Sequence, residues 1–165
     1  MAIVKETGSI VANANSWVTR QEFIDYAAAR GVTIADDESA DAMLIKAGDY
    51  INGLEPRLKG TRVDRDQTMA FPREDFEIEG WNWSKTEIPR QVLNAQLSLA
   101  LEINSGEDPY NPSSAALPVV RKRVEGAVEV EYANPNTPLK VNKTQGSQVH
   151  INLLLKNSGL FAVRA

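Results

Sequence analysis

The segment from Thr86 to Gly106 constrains the fold of this chain more than any other part of the sequence. Thr86 can cap a helix, Pro89 suits a first helical turn, and Gly106 follows the last periodic residue. Apolar residues fill most of the helix circumference, so we expect other elements to enclose it. Leu97 to Ile103 also alternates as a strand would, but one narrow polar stripe persists over the whole length and favours a helix: Glu87, Arg90, Gln91, Asn94, Ser98 and Glu102.

The composition excludes several classes of site. A chain of 165 residues suits one domain with a hydrophobic core. Its net charge of -4 argues against a molecule that is basic all over, as many nucleic-acid-binding proteins are. The absence of cysteine excludes disulfides and thiolate metal sites, and the single histidine, His150, excludes a multi-histidine site. With no signal-peptide pattern and no apolar run of about 20 residues, we expect a soluble, intracellular protein without a cofactor.

Two further helices are predicted before the central one. Thr19 and Glu22 have the spacing of a capping box and predict a helix that ends near Arg30, before Gly31. The acidic triplet 36–38 places anions at the start of a second helix, which Gly53 ends. We interpret the triplet as helix capping rather than as a metal site.

Residues 55–85 show little periodicity and predict a long loop, which in a compact domain is often functional. Asp64 and Asp66 interrupt its basic positions, so we prefer a salt-bridged loop to a patch that faces phosphates. Trp81 and Trp83 are interpreted as anchors to the core, with stacking on a ligand as the alternative. The basic positions are Arg57, Lys59, Arg62, Arg65 and Arg73.

The last third of the chain is predicted to contain a β-hairpin over about 118–133 and a short helix near 149–155. An isolated two-stranded hairpin is marginally stable in water, so a neighbouring subunit is a candidate to complete it. Its candidate inter-subunit residues are Arg121, Arg123, Val128, Val130 and Tyr132. Candidate docking residues in the C-terminal segment are Leu153, Leu154, Leu155, Leu160, Phe161 and Val163.

The residues alone therefore predict a mainly α protein: a small helical bundle around one long central helix, with a β-hairpin and extended N- and C-terminal arms. We expect a single domain over 1–165, with a helical core at about 16–106, the hairpin, and a C-terminal short helix and tail at about 147–165. The sequence contains no GxxxxGK[ST], GxGxxG, GxSxG or HExxH motif, and we expect an assembly protein rather than an enzyme.

The order of several short segments resembles a family of small phage proteins described as DnaT-like single-stranded-DNA-binding proteins. Structurally characterised proteins of this general type are head-to-tail connectors, or adaptors, of tailed bacteriophages. The similar segments are 6–8, 11–18, 47–51, 57–62, 67, 70–73, 88–89 and 124–132.

The resemblance implies a helical core that assembles as a homo-oligomeric ring, usually of twelve copies, in the head-tail neck of a virion. Its implied partners are the phage portal protein above and a stopper or tail-completion protein below. Genomic DNA would pass through the ring without sequence-specific binding. The negative net charge suits a channel wall that does not hold passing phosphates.

An alternative takes the family description literally, as a single-stranded-DNA-binding replication accessory protein. Its candidate contacts are cations for phosphates and tryptophans for base stacking: Arg57, Lys59, Arg62, Arg73, Trp81 and Trp83. From the sequence, the connector is the preferred hypothesis.

Overall fold

A computed structural model describes residues 2–110 and 146–156 of the chain. In these residues the helices are α1 (Arg20–Ala28), α2 (Glu38–Gly53), α3 (Arg90–Asn104) and α4 (Gly146–Leu154). A single 3-10 turn, Glu55–Arg57, follows α2. The strands form two small antiparallel sheets: β1 (Thr61–Arg62) with β2 (Arg73–Glu74), and β3 (Phe76–Ile78) with β4 (Trp81–Trp83).

The prediction of a helical bundle around one long central helix is wrong. The described part of the chain is mixed α and β, and α2, with 16 residues, is longer than α3, with 15. α3 packs against α2 on one side and α4 on another. The predicted loop 55–85 contains all four strands, and each is too short, at two or three residues, to produce a detectable alternation.

The first two helices begin where local capping signals predict. The Thr19 side chain accepts a hydrogen bond from the backbone N–H of Glu22, and the Glu22 carboxylate accepts one from Thr19 N–H. At α2, the Asp37 carboxylate accepts a hydrogen bond from Ser39 N–H at 2.8 Å. The capping interpretation of both sites is confirmed.

The third predicted helix exists, but its start differs. α3 begins at Arg90 with Pro89 at the cap position and no side-chain capping bond. Thr86 does not cap it, and its hydroxyl instead pairs with that of Ser84 at 3.0 Å. Gly106 follows the helix with a φ of 92°, as its position after the last periodic residue indicated.

The core is built around aromatic side chains that come from distant parts of the chain. Trp17 and Phe71 meet edge to face with ring centroids 6.2 Å apart, and Phe71 meets Phe76 at 5.0 Å. The indole Nε1 of Trp17 donates a hydrogen bond to the carbonyl of Phe71 at 3.2 Å, so its polar atom is satisfied inside the core. The other largest fully buried side chains include Phe23, Leu44, Ile51, Leu58, Met69, Leu99, Ile151 and Leu154.

Gln96 is the exception in the apolar face of α3, and it is completely buried. Its Oε1 accepts a hydrogen bond from the backbone N–H of Trp17 at 2.9 Å. Its Nε2 donates to the hydroxyl of Ser16 at 2.9 Å and to the carbonyl of Leu44 at 2.8 Å. The amide therefore joins α3 to α2 and to the segment that precedes α1.

The N-terminal residues fold back onto the domain rather than forming the predicted extended arm. Glu6 is 1% exposed, and its carboxylate accepts hydrogen bonds from the N–H groups of Gly8, Ile10 and Val11 at 2.8–3.1 Å. Gly8 has a φ of 98°, and a Cβ there would lie 2.0 Å from the carbonyl oxygen of Thr86. Only glycine permits this close approach of the two backbones.

α4 joins the domain at both of its ends. At its start, the Glu102 carboxylate accepts hydrogen bonds from the Ser147 N–H at 2.8 Å and hydroxyl at 2.6 Å. After its end, Leu155 pairs with Leu58 in an isolated antiparallel bridge. Ile151 and Leu154 are buried in the core. The prediction of a short C-terminal helix is confirmed, while the hairpin at 118–133 and the tail at 157–165 lie outside the described residues.

Candidate nucleic-acid interface

Two of the four cations predicted to contact phosphates are instead bound within the protein. Arg62 forms a two-bond ion pair with Glu55, in which Nε donates to Oε1 and Nη2 donates to Oε2 at 2.7 Å. Its Nη1 also donates to the carbonyl of Gln67 at 2.8 Å. The guanidinium therefore has little capacity left for a ligand.

Arg73 is even less available, because it is 5% exposed. Its guanidinium donates to the carbonyls of Lys59 at 2.7 Å, Gly60 at 2.8 Å and Ala70 at 3.2 Å. A fourth contact, at 3.3 Å, joins it to the carboxylate of Glu55. Arg73 thus fastens the loop between β1 and β2, and the expectation of a salt-bridged loop agrees with these contacts.

The electrostatics of this cluster follow from its hydrogen bonds and its burial. The hydrogen bonds from Arg62 hold the pKa of Glu55 below its ordinary value, and the nearby charge of Arg73 acts in the same direction. The bond to Glu55 raises the pKa of Arg62. Burial lowers the pKa of Arg73, and Glu55 opposes this effect. An arginine remains charged in proteins, so Glu55 is a fixed anion between two fixed cations at neutral pH.

Gln67 organises the same loop from inside. It is 3% exposed, and its Oε1 accepts hydrogen bonds from the N–H groups of Val63 and Asp64 at 3.1 Å. Its Nε2 donates to the carbonyls of Met69 and Pro72 at 2.8 and 3.1 Å. The side chain satisfies four backbone groups, which gives this glutamine a structural role.

The other two predicted cations lie together beside a third that the sequence did not suggest. Lys59 N–H donates to the carbonyl of Leu154 at 2.9 Å, and Lys156 N–H donates to the carbonyl of Arg57 at 2.8 Å. This short antiparallel pairing brings Arg57, Lys59 and Lys156 to one edge, with Leu58 buried beneath them. We call these three residues the cationic edge.

The side chains of the cationic edge face solvent. Arg57 and Lys156 are exposed and Lys59 is half-buried. Lys156 Nζ makes one long hydrogen bond, at 3.4 Å, to the carbonyl of Pro56. Within residues 2–110 and 146–156, none of the three forms an ion pair with a carboxylate. These cations are therefore available to bind anions from solution.

The two tryptophans of β4 differ in environment. Trp83 is half-buried and lines a groove of about 490 Å³ between the N-terminal segment and the start of α3. Its Nε1 is shielded from solvent and has no hydrogen-bond partner in the part of the chain that the structure describes. Trp81 is 76% exposed. The interpretation of both as anchors fits Trp83 and is wrong for Trp81.

Only three of the remaining predicted site residues belong to the described part of the chain. Leu154 is fully buried in the core of its own chain, so it is not free to dock a partner, whereas Leu153 and Leu155 are half-buried. The other docking residues, Leu160, Phe161 and Val163, lie outside the described residues. So do the hairpin positions Arg121, Arg123, Val128, Val130 and Tyr132.

Other kinds of site find little support in the described residues. No group of three or more metal-ligating side chains occurs there. No helix among them is long and apolar enough to cross a membrane. His150 lies half-buried on α4, where burial lowers its pKa and the charge of Arg30 adds to this effect.

Comparison with known proteins gives one match. Neither the curated proteins nor the solved structures contain a match to the chain. A family model described as "putative DnaT-like ssDNA binding protein" matches residues 1–165. Because that match spans the whole sequence, the chain belongs to the family of putative DnaT-like ssDNA-binding proteins.

Proposed function

We propose that this protein binds single-stranded DNA through the cationic edge, Arg57, Lys59 and Lys156. The observation that carries the proposal is the pairing of Leu58 with Leu155, which brings two exposed cations, Arg57 and Lys156, and the half-buried Lys59 to neighbouring backbone positions. Phosphate contacts by lysine and arginine supply most of the affinity of sequence-independent binding. The family to which the chain belongs is described by the same activity.

The proposal keeps fewer contact residues than the sequence suggested. Arg62 and Arg73 are engaged with Glu55 and with backbone carbonyls, so they support the fold of the loop rather than the ligand. With only three proposed phosphate contacts, we expect the interaction to be weak and dependent on salt.

The test is fluorescence anisotropy with a labelled oligo-dT of roughly 20 nucleotides, longer than most single-stranded sites. We expect binding near 50 mM salt that weakens steeply toward about 0.15 M. Neutralising the edge with Arg57→Gln, Lys59→Gln and Lys156→Gln should reduce the slope of log K against log salt by about 2, since each phosphate contact contributes about 0.7.

The matched control removes three exposed cations elsewhere, with Arg65→Gln, Lys85→Gln and Arg90→Gln. This variant has the same net charge as the first. If both variants lose binding equally, or if oligo-dT does not bind even at low salt, the cationic edge is not a DNA-binding surface.

A second candidate function is the structural head-to-tail connector of a tailed bacteriophage. The observation that favours it is the charge of residues 74–84, where every ionisable side chain is an exposed carboxylate: Glu74, Asp75, Glu77 and Glu79. Such a surface repels phosphates, which suits a ring that DNA must pass through without being held. In this proposal the protein forms a homo-oligomeric ring in the virion neck, with portal and stopper or tail-completion proteins as partners.

Mass spectrometry and electron microscopy of purified particles test the connector proposal. We expect the protein in the neck at a constant copy number per particle. Removing residues 157–165 tests the docking role of Leu160, Phe161 and Val163 and should block neck assembly. Particles that lack the protein altogether would refute the connector, and the DNA-binding test above is independent of this result.

A further inference from the structure

The exposed indole of Trp81 is not explained by either proposed function. It is 76% exposed, whereas Trp17 is fully buried and Trp83 is half-buried. Trp81 pairs with Ile78 across the β3–β4 hairpin, and Ile78 is buried. Trp81 therefore lies on the same face of the hairpin as the buried Phe76 and Ile78 and the half-buried Trp83, but its own side chain is exposed.

Large exposed aromatic side chains are unusual on a free surface and are enriched where a protein binds a partner. Tryptophan in particular provides a large contact area at a low cost in conformational entropy. A rigid hairpin that presents an indole to solvent has the properties of a binding surface.

The charge around Trp81 determines what it can bind. From residue 74 to residue 84 the sequence has four carboxylates and no lysine or arginine, and all four carboxylates are exposed. Within the described part of the chain, none of these four is in an ion pair. Within residues 74–84, therefore, no cation offsets the negative charge of these four carboxylates.

This negative charge disfavours the stacking of nucleic-acid bases on Trp81. A base that stacks on the indole carries its phosphates with it, and these would approach the exposed carboxylate of Glu79, two residues before Trp81. A guanidinium group has the opposite charge, and it also stacks favourably on the face of tryptophan. The same surroundings that repel DNA therefore attract arginine.

We propose that the β3–β4 hairpin, with the exposed Trp81 and the carboxylates around it, binds an arginine-rich segment of a partner protein. An arginine of the partner stacks on the indole. Its neighbours pair with Glu79 in the turn and, around the edge of the hairpin, with Glu77 on the opposite face. This surface lies on different elements from the cationic edge, so it can act whether or not the protein binds DNA.

The first test is NMR of the full chain with a labelled indole ring on each of its three tryptophans. The probe is a capped peptide of alternating arginine and glycine, and Trp81→Phe identifies the Trp81 signal. We expect the Trp81 signal to shift with the peptide at low salt and the shift to disappear as salt is added.

Variants distinguish a specific site from attraction between opposite charges. Trp81→Leu should weaken peptide binding about three-fold or more. Glu77→Gln with Glu79→Gln should weaken it more than Asp49→Asn with Asp66→Asn, which removes the same charge from exposed positions elsewhere. Equal losses in the two double variants, or unchanged binding by Trp81→Leu, would overturn the proposal.

Two further results would also overturn it by assigning the surface to another ligand. If oligo-dT shifts the Trp81 signal more than the peptide does, the hairpin is a nucleic-acid surface. If the Trp81 signal shifts on simple dilution of the protein, the surface is occupied by a second copy of the chain.

Discussion

The side-chain oxygen of Gln96 accepts a hydrogen bond from the backbone N–H of Trp17 at 2.9 Å, across 79 positions of sequence. The same side chain donates to Ser16 and to the carbonyl of Leu44. Because the Trp17 N–H is buried, it depends on Gln96 for the partner that water would otherwise provide, whereas the Ser16 hydroxyl also bonds to the backbone of Val18.

Replacing Gln96 with leucine should therefore be strongly destabilising, although the two side chains are similar in size. Three buried polar groups would each lose a partner, and we expect the free energy of unfolding to fall by about 2–4 kcal/mol. Urea denaturation followed by circular dichroism measures this change.

Gln91, on the same helix, provides the control. Its Oε1 is shielded from solvent and has no hydrogen-bond partner among residues 2–110 and 146–156, so Gln91→Leu removes no such bond there. We expect this variant to be within about 0.5 kcal/mol of the native protein or more stable. Similar losses at both positions would show that the buried amide of Gln96 has no special role.

Arg73 should contribute to stability rather than to DNA binding. Arg73→Met keeps the packing of the stem but leaves three carbonyls and part of Glu55 without their donor. We expect the free energy of unfolding to fall by about 2–4 kcal/mol. For Arg65→Met, at an exposed position, it should fall by about 0.5 kcal/mol or less. If folded Arg73→Met protein has lost its oligo-dT affinity, Arg73 contacts DNA after all.

The ion pair between Glu55 and Arg62 should give stability a particular dependence on pH. Hydrogen bonds from Arg62 lower the pKa of Glu55 in the folded protein from its ordinary value of 4.5. The resulting stabilisation is present above pH 4.5 and is lost as the pH falls through the lower folded value.

The measurement is urea denaturation of the native protein and of Glu55→Gln over a range from about pH 7 to about pH 3. The difference in unfolding free energy should be largest at neutral pH and should shrink in acid. In an Arg62→Gln background the effect of Glu55→Gln should be smaller at every pH. A difference that grows in acid would contradict the assignment.

The close approach of Gly8 to Thr86 should make Gly8 far less replaceable than another glycine with a similar backbone. Gly8 and Gly31 both have positive φ values, 98° and 74°, so alanine strains either position by roughly 1 kcal/mol. Only at Gly8 would the new Cβ meet a backbone oxygen, at 2.0 Å, whereas at Gly31 nothing lies within 4 Å.

We therefore expect Gly8→Ala to release the N-terminal segment and Gly31→Ala to leave it in place. Limited proteolysis with mass spectrometry detects the difference as new cleavage within about the first 15 residues, where an unfastened terminus is most susceptible. Equal protection of both variants would show that this contact does not hold the segment.

The sequence predicts best those features that depend on nearby residues. The spacing of Thr19 and Glu22 identifies the first helix start, and the acidic triplet 36–38 identifies the second, where Asp37 is found to cap. Pro89 misleads because it occupies the cap itself, three positions after Thr86, the predicted cap.

The candidate site is harder to predict because distant residues decide which cations are free. Arg62 and Arg73 look as available in the sequence as Arg57 and Lys59, and only the fold shows that Glu55 lies against both. Lys156 lies beside Arg57 because their backbones are hydrogen-bonded, and no local sequence pattern predicts this pairing. The two tryptophans of β4 share a strand, but only one lies over the core.

The late position of α4 in the chain has a consequence for folding during translation. In the described part of the chain, Ile151 and Leu154 join a core whose other fully buried members precede Pro89 or belong to α3. During translation at about 5–20 residues per second, the ribosome adds α4 some seconds after α3. In that interval the apolar surface that α4 later covers is exposed, so chaperones and premature self-association compete with correct folding until α4 has left the ribosome.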